Sequence, residues 1–385
     1  RPFADGKVFF VSDAGEKLAQ ALDKSLRAHL ELERYEALRS MDVVEGGLAD
    51  WPDLFKAWDV DTPSSEEQEV FHAQLMPPAE IGRASASGRR SNLLFVCYEI
   101  LKEHDKPLSA EELRRWLACK PLPAALTGHE GYQHFFQMKR DWQVLQVRQA
   151  QRLALEGLFG WVERCLLFVD ATSVEELSAQ ACAALEPEAT GQEPVSTFLT
   201  RFSYGETNVD KLFSDEEPFK GALLFTEMLE LEGVLRKPMA PRAVPLCLNM
   251  LLRCATFAQA FRKDPLAKDE AASGESFRLP LGSWDAIMVR FEDRPLRAFF
   301  DYLLGSCIVS QHWRIAAARS ADEKSRLRFS PEDRGLTSLL GATRPLAPER
   351  IGDRLQNALA LMASSGGLKA DVPLRNAGAN PRFSV

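Results

Sequence analysis

Apolar residues recur at helical spacing along most of this chain. Leu18, Leu22, Leu26 and Leu30 form one stripe and predict a helix over about 16–38. Trp51, Leu54, Phe55 and Trp58 predict a short second helix, and a third runs through Val70 and Leu75. Leu93, Leu94, Val96, Cys97, Ile100 and Leu101 give a broad apolar face. Ser109 and Glu112 then make an S-x-x-E capping box that opens a helix carrying Leu113, Trp116 and Leu117. Pro121 and Pro123 stop it. The longest periodic stretch, about 132–168, carries Phe135, Met138, Trp142, Leu145, Leu155, Phe159 and Val162, and predicts a backbone helix with Gly157 and Gly160 as sites of a kink. Buried helices are expected over about 219–235 and 244–261. Others are expected over 284–291, 295–319 and 348–363, the last ending at Gly366-Gly367. Strand signals are few: Val8 to Val11 and the short run Leu327 to Phe329. The predicted class is mainly α, a multi-domain helical protein with small β elements and winged-helix-like modules.

Two stretches break the rhythm. Residues 80–90 (EIGRASASGRR) and 264–275 (DPLAKDEAASGE) are small, polar and linker-like. They divide the chain into an N-terminal unit over 1–78, a linker over 79–90 and a central helical domain over 91–263. A second linker over 264–276, a C-terminal helical domain over 277–370 and an unstructured tail over 371–385 complete the division. A length of 385 residues supports two or three units of ordinary size.

Composition narrows the function classes. The longest apolar run, Gly157 to Val169, is broken by Glu163 and Arg164, so no stretch reads as a membrane span and no membrane partner is expected. The seven cysteines are scattered, odd in number and without a CxxC pair, which fits a reducing, cytoplasmic setting better than a disulfide framework or a zinc knuckle. The first residue is Arg1, so the chain is expected to be part of something longer. A formal charge of −8 argues against a protein coated in cations for duplex binding and favours protein partners.

Residues Val8 to Leu22 (VFFVSDAGEKLAQAL) resemble the second wing strand, Ser/Thr-x-x-Gly turn and following helix of winged-helix proteins, with Ser12 and Gly15 in the turn and Leu18 and Leu22 anchoring the helix. Two further stretches have the rhythm of helix-turn-helix units. One is 93–117, with its internal capping box. The other is 348–368, which ends in Gly-Gly-Leu where a winged helix would enter its wing. The resemblance implies a module that docks on proteins or on DNA.

Candidate chemistry is sparse. His129 and His134 are five apart, whereas a zincin places its histidines four apart on one helix face; a helix-entry loop is the plainer expectation. Asp59 and Asp61 could present paired carboxylates to a divalent ion, but Thr62-Pro63 makes them read as a turn. Glu230, Glu232 and Lys237 read as a solvated helix face, and His312 as a packed or hydrogen-bonded histidine. Phosphate loops, dinucleotide fingerprints and nucleophile elbows do not occur. No cofactor, metal site or catalytic residue is therefore predicted. Basic residues supply the candidate phosphate-gripping set: Arg83, Arg89 and Arg90 in the first linker; Lys139, Arg140, Arg148 and Arg152 along the long helix; Arg314, Arg326 and Arg328 near the C-terminus. The expected function is a non-enzymatic architectural or adaptor subunit of a multi-protein bacterial assembly, such as an antiviral defence cluster, with protein partners first and DNA second. The alternatives are a metal-dependent nuclease or other phosphodiester-acting enzyme assembled from distant carboxylates, and a DNA-binding regulator.

Overall fold

The computed structural model describes residues 13–29, 36, 65–169, 171–185, 191–216, 220–237, 242–272, 279–319, 327–340, 345–350, 353–371 and 380–385. The strand expected at Val8 to Val11, the helix around Trp51 to Trp58, the Asp59 and Asp61 pair and Arg326 lie outside these residues.

The chain is mainly α with small β elements. Its first helices are α1 (Asp13–His29), α2 (Ser65–Leu75) and α3 (Ala86–Lys102). Strand β1 (Leu108–Ser109) leads directly into α4 (Ala110–Cys119), and α5 (Tyr132–Leu166) follows as the backbone helix. Then come α6 (Val174–Ala183), α7 (Leu223–Leu235), α8 (Ala243–Lys263), α9 (Ser283–Phe291), α10 (Leu296–Tyr302) and α11 (Gln311–Arg319). A hairpin of β2 (Phe329–Glu332) and β3 (Gly335–Ser338) precedes α12 (Leu355–Ser364), β4 (Lys369–Ala370) and β5 (Arg382–Ser384).

Contacts group the chain into two compact units that cut across the blocks expected from composition. Unit 1 collects residues 1–114, 122–138 and 353–385; unit 2 holds 115–121 and 139–352. Two of the four boundaries fall inside α4 and α5.

Unit 1 contains an antiparallel three-stranded sheet of order β1-β5-β4, with Leu108 opposite Phe383 and Ala370 opposite the same Phe383. The expected tail is thus corrected: 382–384 is the central strand of this sheet, and Phe383 is fully buried. Three residues are too few to show an alternating pattern, and both partners lie far away in sequence. The predicted capping box is present at the start of α4. The Ser109 backbone N–H donates to Glu112 Oε2 at 2.7 Å, and the Glu112 N–H donates to Ser109 Oγ at 3.2 Å. Leu94, Val96, Cys97, Ile100 and Leu101 of α3, Leu113 of α4 and Leu355, Leu359 and Met362 of α12 are core residues.

The stretch with linker composition at 80–90 is built into unit 1. Buried Asn92 accepts from the Gly82 N–H at 2.6 Å and donates to the Arg83 carbonyl at 3.0 Å, while Ser85 caps α3 by accepting from the Gly88 N–H. Small residues here serve close approach: a Cβ on Gly131 would lie 2.2 Å from Gly82 Cα. Gly15, expected in a turn, falls in the first turn of α1.

Unit 2 is centred on α5 and α8, with Val144, Val147, Leu158, Cys247, Leu251, Cys254 and Phe261 all buried. α8 has the length and apolarity of a membrane span, but 78% of that stretch is buried inside the protein, where it packs against α7 and α9. The second linker-like stretch also contributes to packing: Lys268–Ala272 is a short helix, and Ala267 and Ala271 are buried. The helix expected over 295–319 is continuous, but Leu303–Ser310 widens to π geometry between α10 and α11.

Candidate functional site

The basic residues are of two kinds. Arg83, Arg89 and Arg90 in unit 1 are exposed at the entry to α3, and Arg90 donates to the Gln74 carbonyl at 3.0 Å. Arg314 on α11 is likewise exposed. Lys139, Arg140, Arg148, Arg152 and Arg328 are held by more extensive contacts within the chain itself.

Arg140 is buried and forks onto both oxygens of Asp210, at 2.8 and 2.6 Å, with Asp264 Oδ2 3.1 Å from its Nε and Gln143 Oε1 2.7 Å from its Nη1. This bidentate geometry is the strong form of a charge-assisted pair. It holds the Asp210 carboxyl below its usual range against the opposing effect of burial. Neighbouring Lys139 is also buried and donates to the Lys120 carbonyl at 2.6 Å; burial lowers its pKa, with the Asp210 charge opposing. Arg148 donates to the Glu270 carboxylate and carbonyl, both at 2.6 Å. Arg152 pairs with Glu156 one turn on, at 2.7 Å. Arg328 pairs with fully buried Glu163, which also accepts from the Leu346 N–H. With Arg90, six of the candidate cations thus have carboxylates or carbonyls of this chain as partners.

The histidines divide as well. His129 Nδ1 accepts from the Gly131 N–H at 2.9 Å, and its ring meets Phe135 edge-on at 5.0 Å, so it shapes the entry to α5. His134 is exposed. His312 sits between Phe159 and Phe329 with ring centroids 4.9 and 4.8 Å away, and its Nε2 accepts from the Arg328 N–H at 3.1 Å. Burial, reinforced by the Arg328 charge, pushes its pKa down to about 4. Glu232 faces Arg350 and Arg236, at 3.3 and 3.2 Å, and Glu230 faces Arg242 at 2.7 Å. Among the described residues, no three His, Cys, Asp or Glu side chains converge as a metal cage.

Sequence reasoning passed over the start of α12. Asp353 has a fully buried side chain and takes Arg114 Nε and Nη2 at 2.6 and 2.9 Å across 239 residues of sequence. It also accepts from the Leu355 N–H at 3.0 Å and so begins the helix. Arg354 beside it is exposed and left-handed, with φ of 60°. Beyond it the outward face of α12 carries Gln356, Asn357 and Leu361, the last 53% exposed. One signal was visible in the sequence: 355–368 (LQNALALMASSGGL) has no charged residue, and Arg354 and Lys369 bracket it.

No family model matches this chain, and no curated protein or solved structure matches it.

Proposed function

We propose that this protein is a non-enzymatic adaptor subunit and that its unit 1 is a winged-helix-like module split in sequence. The order α3-β1-α4, then α12-β4-β5, with the last strand lying between the other two, is the order of a winged helix. The stretches 93–117 and 348–368, whose helix-turn-helix rhythm is visible in the sequence, supply most of α3, β1 and α4 to the first half and α12 to the second, while β4 and β5 lie beyond them. Residues 115–121 and 139–352 form a separate compact unit between those halves.

The observation that carries the adaptor reading over a nucleic-acid one is the pairing of the basic set. Non-specific DNA affinity comes from cations that neutralise phosphates. Lys139, Arg140, Arg148, Arg152 and Arg328 are instead engaged by this chain's own oxygens. Arg83, Arg89, Arg90 and Arg314 keep DNA association as a second reading, because they are exposed.

The test is capture of the full-length protein from its own cells with and without nuclease. Protein partners that survive nuclease support the adaptor reading. Recovery of nucleic acid alone, or of nothing, sinks it, and affinity for duplex DNA that falls steeply between low and physiological salt would put the DNA reading in its place.

A further inference from the structure

We infer that the outward face of α12 is a docking surface for a protein partner that presents an apolar segment flanked by acidic residues; this rests on the adaptor reading.

Three features converge there. First, α12 buries Leu355, Leu359 and Met362 on one side and turns Gln356, Asn357 and Leu361 to solvent on the other. Arg354, Asn357 and Leu361 lie three and four residues apart, so they share one stripe. Depletion of charge with an apolar centre is the composition of an interface core, not of an ordinary solvated helix face.

Second, the fourteen residues 355–368 carry no charge, while the residues on either side, Arg354 and Lys369, are both basic and both exposed. Its exposed members, Gln356, Asn357, Leu361 and Gly366, are thus all uncharged, and such a surface with a cation before and after it is complementary to an apolar segment with carboxylates at its ends. Charges at a rim of this kind set register and encounter rate. Two cations are few for a grip on a phosphate backbone, where each neutralised phosphate adds to affinity.

Third, Arg354 holds a left-handed backbone, φ 60° and ψ 10°, which costs an L-residue about 1–2 kcal/mol and costs glycine nothing. The strain is over-determined by its neighbour. Asp353 is fixed by Arg114 and by the Leu355 N–H, which leaves Arg354 to make the turn and to project outward. A charged side chain kept at a glycine-favouring position points to a contact made outside this chain.

The test places a photo-crosslinking residue at position 361 of the full chain, in its own cells, followed by nuclease treatment and mass spectrometry. The adduct is expected on one protein, in an apolar segment with Asp or Glu on its flanks. With that partner purified, Leu361→Asp weakens binding roughly tenfold or more. Arg354→Gly weakens it at low salt, with a difference that shrinks as salt rises. Arg354→Gly relieves backbone strain at the helix start, and circular dichroism of both variants guards against misfolding. A nuclease-resistant partner that binds both variants like the parent overturns the docking surface and leaves the adaptor reading standing. So does an adduct on nucleic acid or on a second copy of this chain while such a partner is still captured. If no protein survives nuclease, both fall.

Discussion

At the residue scale, buried charge decides more than exposed charge. The Arg114–Asp353 pair joins the two halves of unit 1, and both side chains are largely shielded, at 13% and 0% exposure. Removing one partner from such a pair leaves the other buried and uncompensated. Asp353→Ala is therefore expected to cost about 3–5 kcal/mol, read from denaturant unfolding followed by hydrogen exchange in unit 1. Little change in exchange over 355–364 would show that the pair is dispensable. His312 gives a pH prediction with a definite sign. Its folded pKa lies at about 4, below the ordinary 6.5, so between these values the unfolded chain binds the extra proton. Its contribution is fully present above 6.5 and is lost as pH falls toward 4, by about 2 kcal/mol once its partial exposure is allowed for. His312→Gln should flatten that slope in the unfolding of unit 2, measured at pH 5 and 7.5. An unchanged slope would place the acid sensitivity on other groups.

At the element scale, caps and close approaches define the helix starts of unit 1. Ser109 and Glu112 satisfy each other's backbone N–H, so Ser109→Ala is expected to destabilise unit 1 by about 1 kcal/mol. Gly131→Ala is expected to cost about 1–3 kcal/mol, because its new Cβ would meet backbone at Gly82, which cannot rotate away as a side chain can. Thermal melts that order these variants the other way would show that the 80–90 turn is plastic. The capping box was legible in the sequence because its two residues are three apart. Gly131 was not, since its neighbour Gly82 lies on the far side of both α3 and α4 in sequence. The same limit explains β5, where three residues form a strand only because β1 and β4 supply its partners from elsewhere in the chain.

At the scale of the whole molecule, two compact units need not unfold together. Hydrogen exchange in increasing denaturant should resolve two cooperative steps, with Asp353→Ala moving the step reported by 86–114 and 355–368 and leaving the one reported by 243–263. A single shared step would mean that the units are thermodynamically one. The amino-acid sequence by itself determined the helical class, the long backbone helix and the α4 cap. It also held the uncharged stretch bracketed by Arg354 and Lys369. All of these are local, set by spacings of three to four residues or by a run along one segment. The tertiary structure alone decided which cations are engaged, since Arg140 meets Asp210 and Arg328 meets Glu163 only after distant segments pack. It alone decided that the end of the chain supplies the middle strand of a sheet begun at Leu108. It also brought Arg114 to Asp353, because an ion pair 239 residues apart leaves no periodic trace along the chain.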